Sequence, residues 1–135
     1  MSGIVVVAEN GKGRYQQEVS VGQHRLIADE PESVGGADAG PAPFDYLMAA
    51  LGACTSMTLR MYAERKEIAL TGVSVELDHE KVDIDGKPRD RINRRITLSG
   101  DLSAEQRQRM LEIANKCPVH RALSQPLLIA SSLVE

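Results

Sequence analysis

The chain has 135 residues, with 16 Lys and Arg against 19 Asp and Glu and a 42% hydrophobic content. That is one domain of ordinary globular balance, long enough to bury a core. A formal charge of −3 with three Tyr, one Phe and no Trp argues against nucleic-acid modules, which need cations for phosphates and aromatic faces for bases. No apolar run approaches the roughly 20 residues that span a bilayer, so no membrane partner is expected. The opening Met1–Glu9 lacks the basic start and long apolar region of a signal peptide. The expected setting is a reducing cytoplasm, where two cysteines are reactive or inert thiols rather than a permanent staple.

In chain order, Ile4–Ala8 reads as a β-branched strand, Asn10-Gly11-Lys12-Gly13 as a turn, Arg14–Val21 as a second strand and His24–Ala28 as a third. Residues 1–28 are thus expected to form a small antiparallel meander. Residues 29–43 form a loop by composition, long enough to suggest function, with Pro43 placed where a helix can start and Asp45 in its first turn. The central helix is expected over 44–66. Leu47, Leu51, Cys54, Thr58 and Met61 fall at helical spacing, flanked by Ala50 and Met57, and most other positions as far as Thr55 are small or apolar. This predicts a helix buried nearly all round.

Residues 72–135 then carry a hairpin, helices and a last strand. Gly72–His79 alternates, Asp85-Gly86 marks a turn, and Asp90–Gly100 returns with Ile92, Ile96 and Leu98 on one face. Arg94 shares their parity. Ser103 and Gln106 have the spacing of a capping box opening a helix that stops near Lys116. Cys117-Pro118 suits the cap and first position of a further short helix, and Leu127–Val134 reads as a final strand. The reading is one α+β domain with antiparallel pairing on both sides of a buried helix.

Cys54 and Cys117 lie 63 residues apart, outside any local redox motif. A buried cysteine more often acts as a small hydrophobe than as a nucleophile. If the fold joins the two, they can run a peroxide cycle: one thiolate becomes a sulfenic acid, the second condenses with it to a disulfide, and a dithiol resets the pair. Such a thiolate needs an electropositive neighbour, for which Arg14, Arg94 and Arg95 are candidates, and Asp45 is a carboxylate able to hold an arginine. An inward Arg94 can equally lie near a sheet edge with its head in water. Cys117-Pro118-Val119-His120 has metal-like spacing, but His24, His79 and Cys54 supply no second paired motif. A Cys-His hydrolase is conceivable with His120, although a residue so placed is commonly a surface or capping one. No cofactor is expected.

The Gly40-Pro41-Ala42-Pro43 lead-in, the Leu47–Met57 helix with Cys54 and the later Cys117-Pro118-Val119-His120 together resemble the family of osmotically induced protein C and organic hydroperoxide resistance proteins. Asp29-Glu30-Pro31, Gly35-Gly36, Thr58–Lys66 and Gly100-Asp101-Leu102 resemble a bacterial subgroup of it. The resemblance runs from about Gly13 onward. It implies an intertwined homodimer of α+β subunits, with two central helices between antiparallel sheets. It also implies a thiol-dependent peroxidase with sites at the subunit interface. Cys54 would be the peroxidatic thiol and Cys117 the resolving one. Arg14 is the match for the family's site arginine. The family's glutamate, ten residues before the first cysteine, is here Phe44, with Asp45 the neighbouring acid. Organic hydroperoxides are the implied substrates, and a dithiol such as a lipoyl protein is the implied reductant. The alternative is a non-enzymatic dimer of the same fold that binds an apolar ligand or senses oxidants. A cation at Cys54 separates the two.

Overall fold

The computed structural model describes residues 3–134. Met1, Ser2 and Glu135, the extremities of the expected 1–28 and 72–135 segments, lie outside the described residues. The chain is α+β with antiparallel sheets. It divides into two compact units, Met1–Leu47 and Met48–Glu135, the boundary falling inside the longest helix.

In the first unit, β1 (Val5–Glu9), β2 (Gln17–Val21) and β3 (His24–Ala28) form the expected meander in the order β1-β2-β3, with Val7 opposite Val19 and Val19 opposite Leu26. The second strand begins later than alternation predicted. Asn10 instead organises the connection: its side chain donates to Gln16 Oε1 at 2.8 Å and accepts from the Lys12 N–H at 2.9 Å. The long loop after β3 is built around buried Asp29, whose carboxylate accepts the N–H groups of Glu30, Ala37 and Ala39 at 2.8, 3.2 and 3.0 Å. Gly40 passes so close to the Ile27 carbonyl that a Cβ there would overlap it. Tyr46 then donates to the same carbonyl at 2.6 Å, fixing the start of the helix against β3.

The helix α1 (Pro43–Arg65) starts in the first unit, and its part in the second buries Leu51, Gly52, Thr55, Leu59, Tyr62 and Ala63. The expected stripe holds at Leu51 and falls out of phase beyond it. Met57 and Met61 are exposed, while Leu59, Tyr62 and Ala63 join Leu70, Met110, Ile113 and Ala114 in the core. A helix apolar on most sides gives periodicity little to fix its phase. Packing against the sheet decides it, with Leu77 lying over the bare face of Gly52.

The hairpin of β4 (Leu70–Ile84) and β5 (Lys87–Gly100) turns at Asp85-Gly86, both in the left-handed region. Each arm is longer than its hydrophobic alternation. The outer part is carried by cross-strand charge instead, with Glu80 meeting Arg91 at 2.9 Å and Lys81 meeting Asp90 at 3.0 Å. Helix α2 (Ala104–Ala114) opens with the expected capping box of Ser103 and Gln106. Helix α3 (Pro118–Leu123) has Cys117 as cap and Pro118 first, also as expected. Leu127–Val134 is not a strand. Leu128, Ile129, Leu133 and Val134 are almost fully exposed, because β propensity alone makes no strand without a neighbouring edge to pair with.

Candidate thiol site

Cys54, in the middle of α1, and Cys117, capping α3, are both free thiols, and they lie within hydrogen-bonding reach of each other. Residues 63 apart meet because α2 returns along the sheet and ends beneath α1, where Ala114 packs in one cluster with Leu59 and Ala63. Cys117 is wholly buried, whereas Cys54 is partly open. The His120 backbone N–H donates to Cys117 Sγ at 3.3 Å.

The site's cation comes from β5. Arg94 stands opposite Leu77 on the inward face, and three acceptors hold its guanidinium. Nη1 donates to Thr55 Oγ1 at 2.8 Å and to the Ala114 carbonyl at 3.2 Å, and Nη2 donates to Asn115 Oδ1 at 2.7 Å. Thr55 is itself fixed, donating to the Leu51 carbonyl at 2.7 Å. Arg95, one residue on, points to the other face and pairs with Glu76 at 2.8 Å and Asp78 at 2.7 Å. The pleat therefore separates Arg94 from Arg95, two of the three arginines that the sequence left as alternatives.

Burial pushes the Cys54 thiol up, and its bond to Cys117 adds to that. Burial also acts to raise Cys117, but the Cys54 thiol, the N–H groups of His120 and Val119 and the Thr55 hydroxyl outweigh it and bring Cys117 below its ordinary value. Arg94 is lowered by burial, partly restored by the charge on Cys117. Two thiols so joined lose their first proton as a unit, and the resulting charge is favoured on the Cys117 side, towards Arg94.

Arg14 and Asp45 belong to the first unit, and each has local partners. The Arg14 guanidinium lies over the Tyr15 ring, 4.9 Å from its centroid. Asp45 Oδ2 accepts the Ala42 N–H at 2.9 Å at the start of α1. Thr55 and Asn115 were not legible as site residues, since a threonine beside a cysteine and an asparagine after a helix carry no motif. Among the described residues, no cluster of three or more His, Cys, Asp or Glu could hold a metal ion, and no helix is long and apolar enough to cross a membrane.

A reduced thiol pair on an α+β scaffold with a half-buried arginine defines the class. The family model for OsmC-like proteins matches residues 35–132, and the chain belongs to that family. No curated protein matches it in sequence. Its fold is similar to that of an OsmC-like protein from Mycoplasma pneumoniae, at 19% identity and a TM-score of 0.77, covering 92% of this chain and 88% of that one. An organic hydroperoxide resistance protein OsmC from Legionella pneumophila matches at 20% identity and 0.69, covering 91% and 89%. One from Elizabethkingia anophelis matches at 18% and 0.70, covering 94% and 91%.

Proposed function

We propose that the protein is a thiol peroxidase that reduces organic hydroperoxides. The observation that carries this reading is the pair of free thiols in mutual reach with Arg94 held beside the buried one. Two proteins of the same fold being organic hydroperoxide resistance proteins supports it.

Cys54, the more open thiol, meets the peroxide. Its proton passes to Cys117, and the Cys54 thiolate attacks the terminal oxygen of ROOH. The S–O bond forms as the O–O bond breaks, and the alkoxide takes a proton from solvent to leave as ROH. Cys117 then displaces water from the Cys54 sulfenic acid, giving the disulfide. A dithiol, with a lipoyl group as one chemical candidate, returns the pair to thiols by exchange. Arg94 faces the charge on Cys117, and Arg14 stays the family match for a cation at Cys54. Leu51 and Met57, three residues to either side of Cys54, favour organic over hydrogen peroxide by roughly 0.8 kcal/mol per methylene buried. The working form is a homodimer, in keeping with the exposed apolar residues of β1 and of Leu127–Val134.

One equivalent of cumene hydroperoxide, followed by alkylation and peptide mass spectrometry, tests the reading. A Cys54–Cys117 disulfide is the expected product. Two thiols still free to alkylate in the native protein would replace the peroxidase with the ligand-binding or oxidant-sensing alternative.

A further inference from the structure

Two helices of this chain open with the same arrangement and differ in one bond. At α2, Ser103 Oγ accepts the Gln106 N–H at 3.0 Å, and the Gln106 side chain folds back to accept the Ser103 N–H at 2.9 Å. At α3, Cys117 Sγ accepts the N–H of His120, again three residues on. The return bond is missing: the Cys117 N–H goes to the Ala114 carbonyl, and His120 Nδ1 is buried with no hydrogen-bond partner among the described residues. The side chain at this third position is the one that reaches back to the cap. Here the cap is a thiol.

We propose that His120 is the base that takes the proton from Cys117 when that thiol attacks an oxidised Cys54. This rests on the two-thiol reading above but not on the nature of the oxidant. Once Cys54 has reacted, the proton the pair shared at rest is on Cys117, and a thiol is a poor nucleophile until it is lost. His120 Nδ1 accepts that proton, the Cys117 sulfur forms the S–S bond to Cys54, and the group on Cys54 leaves with its electron pair. In the peroxide cycle the leaving hydroxide recovers the proton and departs as water. Burial and the Arg94 charge favour the neutral imidazole, which has the lone pair the step requires. The charged group facing it is Arg94 from β5, and Cys117 stands at the cap of its own helix.

Dithionitrobenzoate isolates the step from any peroxide chemistry. The open Cys54 displaces the first thionitrobenzoate at a rate set by reagent concentration. Cys117 then displaces the second at a rate independent of it. In His120→Ala the first phase should be unchanged and the second slowed about 100-fold or more, with imidazole in the buffer restoring it. His120→Gln, which can accept a hydrogen bond but not a proton, should be equally slow. A second phase at the parent rate in His120→Ala, a parent rate in His120→Gln, or a slow phase that imidazole leaves untouched would each overturn the proposal. If His120→Ala loses its fold, both its phases will follow reagent concentration, and His120→Gln decides. A parent protein lacking the second phase would remove the thiol pair and this role together. A parent that shows it yet spares cumene hydroperoxide would remove the peroxidase reading alone.

Discussion

Arg94 Nη1 donates to Thr55 Oγ1 across 2.8 Å, so the sheet and the central helix are joined by a charged bond beside the two thiols. The same guanidinium reaches the end of α2 through Ala114 and Asn115, and one side chain thereby locates three elements around Cys117.

Replacing it should affect both reactivity and stability. Arg94→Met takes the charged donor away from the buried Thr55 hydroxyl and from Asn115, a loss of roughly 1–3 kcal/mol, read by urea unfolding. The pH at which iodoacetamide reacts with the thiols should rise, because the charge facing Cys117 is gone. Arg94→Lys should fall between, keeping the charge but not the fork. Arg95→Met removes only exposed pairs, worth about 0–1 kcal/mol, and should leave the alkylation profile where it was.

Cys117→Ser should consume one equivalent of cumene hydroperoxide and then stall. With no thiol to resolve it, the Cys54 sulfenic acid remains open to a trapping nucleophile such as dimedone, and excess peroxide carries it on to sulfinic acid. Cys54→Ser should consume none. Equal consumption by both variants would contradict the assignment of roles.

Asp29 gives a pH dependence whose sign is fixed. The Ala39 N–H is the largest influence holding its carboxyl below 3.8, helped by those of Glu30 and Ala37 and opposed by burial. The folded state therefore prefers the carboxylate. Its contribution is fully present above the unfolded value and is lost as pH falls through the folded one. Amide exchange at Ala37 and Ala39 should accelerate in that acid range, and Asp29→Asn should show fast exchange at all pH values. Protection that stays constant down to strong acid would deny Asp29 this role.

Two glycines should respond differently to alanine. At Gly40 the new methyl meets backbone, the Ile27 carbonyl, and a loss of about 1–3 kcal/mol is expected. At Gly52 it meets only the end of the Leu77 side chain, which can turn aside, and the gain in helix propensity of about 1 kcal/mol offsets the repacking. Thermal unfolding of the two variants compares them directly.

Much of the fold was legible because local chemistry marked it. The Asp85-Gly86 turn, the Ser103–Gln106 box and the Cys117-Pro118 cap each depend on a few adjacent residues, and each stands where the spacing put it. The phase of α1 was not legible, since Leu47–Thr55 is apolar or small on nearly every side and only the sheet decides which residues face inward. Parity pointed Arg94 inward, yet its acceptors Thr55 and Asn115 come from other elements and carry no motif. Leu127–Val134 failed as a strand for a related reason: its composition is right, but pairing depends on an edge that composition does not describe. Arg14 and Asp45 were candidates by charge before resemblance added to them. The bond from Ala42 to Asp45 suits the first-turn position read for it, whereas the stacking of Arg14 on Tyr15 had no signal in the residues.

The arginine doublet makes hairpin length a constraint on descent. Arg94 faces the thiols only because it stands opposite Leu77, and that pairing is counted from the Asp85-Gly86 turn. Deleting one residue from β5 between Gly86 and Arg94 would swing Arg95 inward in its place, so the guanidinium would survive. The core would not, because Thr97 and Ser99 would take the positions of Ile96 and Leu98. Lineages carrying this site can therefore lengthen or shorten the hairpin tip by matched changes in both arms. The other route is a bulge that absorbs the odd residue, as the register shift between Leu70 and Gly72 does at the other end. A single-residue insertion or deletion in one arm without such a bulge marks a chain that has abandoned the arginine's position or rebuilt the core beneath it.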